Sequence, residues 1–148
     1  MADDIQLAIA SDHAGFEAKQ TLMAAERDRN WIDLGPSNDN SVDYPDYADK
    51  VCEHVLKNPN TLGVLICGTG IGMSIRANRY PGIRAALCTT PEMAIAAREH
   101  NDANILVLGA RTMSPDEILV IFIEYMQSEF LGDRHERRVQ KLDSPVNL

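Results

Sequence analysis

The sequence predicts a three-layer α/β fold, in which a five-stranded parallel sheet carries helices on both faces. Short apolar runs alternate along the chain with segments of helical periodicity. Two of those segments begin with a proline behind a capping residue, in Thr90-Pro91 and Ser114-Pro115. Repeated alternation of strand and helix requires right-handed crossovers, which place helices on both faces of a parallel sheet.

Each element follows from this pattern in chain order. The predicted strands are the short apolar runs at residues 5–10 (IQLAIA), 30–34 (NWIDL), 62–67 (LGVLIC), 84–88 (RAALC) and 105–108 (ILVL). A helical pattern follows each run, at residues 16–29, 47–57, 71–78, 91–99 and 115–130. Between the second strand and its helix, residues 35–45 form a polar loop rich in Pro, Asn and Asp, which we expect to border a site.

Composition limits the possible partners. The 148 residues, 45% hydrophobic and 24% charged, predict one domain spanning residues 1–148. A net charge of -8 argues against nucleic acid and anionic membranes as partners. Three irregularly spaced cysteines form neither a disulfide framework nor a zinc motif. The acidic start at residues 1–4 does not resemble a signal peptide, and no apolar run is of membrane-spanning length, so we expect a cytoplasmic protein.

The run Cys67-Gly68-Thr69-Gly70-Ile71-Gly72 after the third strand predicts an anion-binding turn. Its glycines lack the Cβ that would block close approach, so successive N–H groups can point at one anion, and a helix starting there adds its dipole. This positive field favours the thiolate of Cys67, which can act as a base or a nucleophile. Such turns also occur without catalysis. Nucleotide binding is disfavoured, because a dinucleotide fingerprint needs glycine in place of Met73 and no Gly-Lys-Ser/Thr follows.

Topology brings a second motif to this turn. In a flavodoxin-like strand order, 2-1-3-4-5, the carboxyl ends of the first and third strands flank the switch point of the sheet. Asp12 and His13 follow the first strand, and Cys67 ends the third, so all three border one crevice. An Asp-His pair at this position also serves in other proteins as a simple helix cap.

Other chemically capable residues fall at the opposite edge. His100 and Asn101 follow the fourth helix and precede the fifth strand, so His100 cannot reach Cys67 within one subunit. Arg134 and Arg138, if helical, share one face at i and i+4, which suits gripping a phosphate. The alternative for His100 is a favourable contact with the helix dipole, and the alternative for the two arginines is a solvated surface without a ligand. A dimer in which the far edge of one copy covers the crevice of the other would unite both sets.

Several motifs together carry a family resemblance over nearly the whole chain. They are SDHAGF at 11–16, DYP at 43–45, ICGTGIG at 66–72, AN at 77–78, GIRA at 82–85, HNDAN at 100–104, GAR at 109–111 and RHERR at 134–138. The chain resembles the type B ribose 5-phosphate isomerases, relatives of the galactose 6-phosphate isomerase subunits. The resemblance implies a Rossmann-like fold and an aldose–ketose isomerase with no metal or other cofactor. It also implies a phosphorylated sugar substrate and a homodimer or dimer of dimers with shared active sites. In that assembly, a C-terminal helix and tail from about residue 132 to 148 are expected to contact a partner subunit.

The resemblance also implies catalytic roles. His100 opens the furanose ring with help from Asp12, Cys67 removes the C2 proton, and Thr69 moves protons between the sugar oxygens. Backbone donors of residues 68–74 meet the charge of the cis-enediolate. Some family members use a glutamate at the position of Met73, so Cys67 is the only credible base in the loop here.

The implied substrate-binding residues surround these groups. They are His13, Tyr44, Gly68, Gly70, Ile71, Gly72, Met73, Ser74, Asn101, Arg111, Arg134 and Arg138. His13 and the two C-terminal arginines hold the phosphate, with Arg111 as a further candidate. Cys52 and Cys88 are expected to be structural, and Arg137 receives no role.

Two alternatives remain open at this point. One is an isomerase of six-carbon sugar phosphates such as allose or galactose 6-phosphate. The other is a non-catalytic module that binds a phosphosugar or nucleotide. The loop at residues 35–45 and the depth of the pocket would separate the sugars, and proton exchange at C2 would separate an enzyme from a binding module.

Overall fold

A computed structural model describes residues 5–148, so the acidic start at residues 1–4 lies outside the described part. Its strands are β1 (Gln6–Ser11), β2 (Asn30–Asp33), β3 (Thr61–Cys67), β4 (Ala85–Leu87) and β5 (Ile105–Gly109). All pair in parallel, in the order β2-β1-β3-β5-β4. The predicted five-stranded parallel sheet is confirmed.

The flavodoxin-like order is wrong for the last two strands, because β5 lies between β3 and β4. All five residues of β5 are buried, as an interior strand of a parallel sheet requires. The three residues of β4 are only half-buried, which suits the sheet edge. The crevice between β1 and β3 is unaffected, since these two strands are neighbours as predicted.

The helices are α1 (Phe16–Ala25), α2 (Tyr44–Lys57), α3 (Ile71–Ala77), α4 (Pro91–Glu99), α5 (Pro115–Gln127) and α6 (Arg134–Asp143). Both predicted caps are confirmed. The Thr90 hydroxyl accepts the N–H of Met93 at 3.2 Å. Ser114 and Glu117 form a reciprocal capping box, with bonds of 3.1 and 3.0 Å.

Three helix ends differ from the prediction by three residues or more, and one of them is that of the fifth helix, which stops at Gln127 instead of residue 130. The first helix stops at Ala25 instead of residue 29, and Trp31 Nε1 donates to the carbonyl of Glu26 at 2.9 Å. This bond satisfies a carbonyl at the helix end while the chain turns into β2. The second helix begins at Tyr44 instead of residue 47, because Pro45 needs no N–H partner in the first turn.

Alternate residues of each strand build two cores, one on each face of the sheet. In β1, Leu7 and Ile9 join the core covered by α1, α4 and α5, whereas Ala8 and Ala10 join the core under α2 and α3. The helices on both faces confirm the predicted three layers. No helix within residues 5–148 is long and apolar enough to span a membrane.

A fully buried lysine fixes the start of the loop that follows β2. The side chain of Lys19 in α1 has no exposed surface, and its Nζ donates to Asp33 Oδ1 at 2.7 Å and to the Pro36 carbonyl at 2.8 Å. The Asp33 carboxylate is 40% exposed and also accepts the N–H of Gly35 at 2.9 Å. The ammonium is therefore the member of the pair that has lost its water, and it depends on both acceptors.

We expect Asp33→Ala to destabilise the protein more than Lys19→Met. The alanine variant leaves a buried ammonium with one neutral acceptor, at a cost of about 3 kcal/mol. Methionine removes the buried charge and keeps the apolar volume, at a cost of about 1 kcal/mol. Urea unfolding of both variants measures the two losses. A larger loss for Lys19→Met would show that the ammonium is not the costly partner.

Candidate active site

Cys67 lies at the mouth of the loop between β3 and α3. The residue is 5% exposed, and its Sγ accepts the N–H of Gly70 at 3.2 Å. Gly70 has a φ of 82°, and a Cβ there would lie 2.5 Å from Leu87 Cδ1, so both its conformation and its surroundings require glycine. The turn thus directs a backbone donor onto the sulfur, where it stabilises negative charge.

The structure narrows the set of free donors in this loop. The N–H of Ile71 donates to Thr69 Oγ1 at 3.2 Å, and the N–H of Ser74 donates to the Gly70 carbonyl at 3.0 Å. Within the described chain, the loop N–H groups that have no acceptor are those of Gly68, Thr69, Gly72 and Met73. The Met73 side chain is fully buried in the core under α2 and α3, so its contribution to a site is its N–H.

Asp12 and His13 border the same loop from the end of β1. The N–H of Asp12 donates to the Ile66 carbonyl at 3.2 Å, and Asp12 Oδ1 accepts the N–H of Gly15 at 3.0 Å. One carboxylate oxygen therefore caps the turn, while Oδ2 has no protein partner among residues 5–148. His13 Nδ1 accepts the N–H of Val42 at 3.3 Å, so the neutral ring carries its proton on Nε2 and can donate it to a ligand.

Arg111 and Tyr44 form the rim of this crevice. The N–H of Arg111 donates to the Gly68 carbonyl at 2.8 Å, and a Cβ on Gly68 would lie 3.3 Å from Arg111 Nη1. The phenol ring of Tyr44 covers Gly72 so closely that a Cβ there would collide with it. The exposed Arg111 guanidinium and the partly exposed Tyr44 ring therefore lie beside the Cys67 loop.

The other predicted residues gather at the opposite end of the sheet. His100 is exposed at the end of α4, and its ring stacks on His135 of α6 with centroids 4.4 Å apart and planes inclined by 11°. The exposed Arg134 and Arg138 lie on the same helix, and Asn101 follows His100. Strand β5 begins after this turn at Ile105 and reaches the Cys67 level only at its far end, about 13 Å away. One chain therefore does not bring His100 and Cys67 into the same site.

His135 was not among the predicted site residues. Burial, the charges of Arg134 and Arg138, and the neighbouring His100 lower the pKa of His135, so its ring is neutral near pH 7. The sequence signal was available, since His135 and Val139 are four residues apart and form the buried face of α6.

The remaining two cysteines are Cys52 and Cys88. Both are buried without a disulfide, and burial raises the pKa of Cys52 to about 12 and that of Cys88 to about 11. Neither thiol is suited to act as a base near neutral pH. Among the described residues, no group of three or more His, Cys, Asp and Glu side chains is arranged to hold a metal ion.

The comparisons with known proteins agree with one another. Residues 7–142 match the family described as Ribose/Galactose Isomerase. The ribose-5-phosphate isomerase B of Escherichia coli strain K12 is 37% identical over 139 residues, which cover 93% of this chain and 93% of that protein. A crystal structure of a ribose 5-phosphate isomerase from Thermotoga maritima is 48% identical, with a TM-score of 0.91 over 95% of this chain and 98% of that one. A type B ribose 5-phosphate isomerase structure from Trypanosoma brucei is 42% identical, with a TM-score of 0.86 over 94% and 97% of the two chains.

Proposed function

Because the chain belongs to the ribose/galactose isomerase family and is a sugar phosphate isomerase, we propose that it interconverts ribose 5-phosphate and ribulose 5-phosphate. The observation that carries the proposal is the Cys67 sulfur at the start of a loop whose Gly72 and Met73 N–H groups find no acceptor among residues 5–148. A base next to unpaired backbone donors is what proton abstraction beside a carbonyl needs. The names of the relatives favour the five-carbon sugar.

The reaction begins with ring opening, because a cyclic aldose has neither a free aldehyde nor an acidic C2 proton. His100 transfers a proton from the C1 hydroxyl to the ring oxygen, and Asp12 Oδ2 accepts a hydrogen bond from a sugar hydroxyl. The Cys67 thiolate then takes the C2 proton, and the electron pair moves to O1 to give a cis-enediolate. The free loop N–H groups stabilise that charge. Thr69 shuttles a proton from O2 to O1, and the thiol returns its proton to C1.

The substrate phosphate meets groups from both ends of the sheet. His13 donates from Nε2, and Arg111 adds a guanidinium beside the Cys67 loop. Arg134 and Arg138, one turn apart on α6, supply the bidentate donors that phosphate favours. Asn101 orients the open-chain sugar or the His100 ring.

A second copy of the chain completes the site in this proposal. Cys67 and His100 lie at opposite ends of β5, and the α3 helix after the loop exposes Ile71 by 54% and Ile75 by 56%. Exposed apolar side chains one turn apart suit a protein interface. A two-fold homodimer, alone or paired into a dimer of dimers, would cover them and form two composite sites. In it, α6 and the tail to residue 148 contact the partner.

Incubation with ribose 5-phosphate in heavy water tests the proposal. NMR is expected to show ribulose 5-phosphate with deuterium at C1, because the cysteine proton exchanges with solvent between its two transfers. Activity is expected to persist with a chelator. Parallel samples with allose 6-phosphate and galactose 6-phosphate are expected to give kcat/KM at least about tenfold lower. Binding of ribose 5-phosphate without deuterium incorporation would instead identify a binding module, and faster turnover of a six-carbon sugar would reassign the substrate.

A further inference from the structure

Arg84, in the Gly-Ile-Arg-Ala motif before β4, joins two segments that lie far apart in the chain. Its Nε donates to the Asp102 carbonyl at 3.0 Å, and its Nη2 lies 3.5 Å from Asp102 Oδ2. Its Nη1 lies 3.0 Å from each carboxylate oxygen of Asp143, at the end of α6. The Arg84 side chain is only 18% exposed, so this guanidinium is largely shielded from water.

The Asp102 turn is also held from its other side. Arg98 Nη1 donates to Asp102 Oδ1 at 3.3 Å and to the Ala103 carbonyl at 2.6 Å. Asp102 has a φ of 47°, a left-handed conformation that costs energy in a residue other than glycine. Two arginines thus fix the turn that begins at His100.

The α6 helix has few other attachments to its own chain. Its buried residues are His135, stacked on His100, and Val139. Among residues 5–148, the contact between Asp143 and Arg84 is the only ion pair that α6 forms with another element. The helix is therefore held near its first turn by the stack of His135 on His100 and at its last residue by Arg84. Arg134 and Arg138 lie one turn apart in the first half of this helix.

We propose that Arg84 is a positioning residue, which through Asp102 and Asp143 holds the His100 turn and the arginine helix α6 in one relative placement. This inference rests on the proposed function, because it gives that placement a purpose: His100 must reach the sugar ring while the α6 arginines hold its phosphate. A bound phosphate is gripped equally before and during the reaction, so a displaced α6 weakens substrate binding more than it slows chemistry. A displaced His100 turn slows ring opening as well.

Four variants test the inference: Asp143→Asn, Arg84→Gln, Arg84→Lys and the double variant Arg84→Gln/Asp143→Asn. Asp143→Asn is expected to raise KM for ribose 5-phosphate, and Ki for inorganic phosphate, each about fivefold with kcat within about twofold of wild type. Arg84→Gln is expected to raise both constants at least as far and to lower kcat, and Arg84→Lys to fall between it and wild type. The double variant is expected to match Arg84→Gln, because both changes break the same pair.

Glu136→Gln provides the matched control, since Glu136 is an exposed carboxylate on α6 without an ion pair in the described chain. It is expected to keep wild-type KM and kcat. Hydrogen exchange of the α6 amides gives a readout that needs no turnover, and Asp143→Asn is expected to accelerate it. Unchanged exchange, an unchanged phosphate Ki in Asp143→Asn, or full additivity in the double variant would each overturn the inference. Absence of turnover in the wild type would contradict the proposed function alone.

Discussion

Cys67→Ala is expected to abolish the isomerisation of ribose 5-phosphate, with turnover at least about 10³-fold below wild type. The loop holds no second group that can take the C2 proton. Thr69 offers only a hydroxyl, whose oxygen accepts the N–H of Ile71, and the Met73 side chain is fully buried in the core. Deuterium exchange should be lost from ribose 5-phosphate and from ribulose 5-phosphate alike, since both directions use the same thiol.

Cys52→Ala is the matched control for this loss. Cys52 is another buried free thiol in the same core, under α2 and α3, and burial raises its pKa to about 12. Its removal costs packing and no base, so kcat is expected to stay within about twofold of wild type. Inorganic phosphate should bind Cys67→Ala as it binds wild type, which verifies an intact site. Turnover by Cys67→Ala within tenfold of wild type would assign the base to another group.

The sequence predicted those features of the fold that depend on neighbouring residues. Thr90 and Ser114 cap helices because each hydroxyl stands just before a proline that opens a helix and accepts a free N–H of the first turn. The order of β4 and β5 was mispredicted, since both are short apolar runs in the sequence. In the structure β5 is fully buried and β4 is half-buried. This difference depends on which elements pack against each strand, and the sequence of a strand does not show that.

The candidate site likewise has features that the sequence predicts and features that it does not. The placement of Asp12 beside the Cys67 loop follows from topology, because parallel neighbouring strands end at one edge of a sheet. The set of free N–H groups in the loop does not follow from the sequence. The Thr69 hydroxyl accepts the N–H of Ile71 and the Gly70 carbonyl accepts that of Ser74, although glycine spacing alone would count both N–H groups as free. Arg84 was missed because its partners come from segments distant in sequence, whereas the buried i, i+4 face of α6 would have indicated His135.

His100→Asn is expected to lower turnover of ribose 5-phosphate about 10²-fold or more while sparing one partial reaction. Ribulose 5-phosphate carries its phosphate on the C5 oxygen and cannot close a furanose ring, so exchange of its C1 proton needs no ring opening. That exchange is expected to stay near the wild-type rate in heavy water. His54→Asn, on α2 and outside the site, should leave both rates unchanged. Equal losses in turnover and exchange would refute the ring-opening role.

Mixing Cys67→Ala with His100→Asn tests whether the site is shared between two copies. In a mixed dimer, one site combines both defects, while the other combines an intact Cys67 from one copy with an intact His100 from its partner. After subunit exchange, random pairing is expected to restore about a quarter of wild-type activity. If each chain held a complete site, every site would carry one defect. Activity that stays at the level of the separate variants, with native mass spectrometry confirming mixed dimers, would therefore place Cys67 and His100 in separate sites or in one chain's own site.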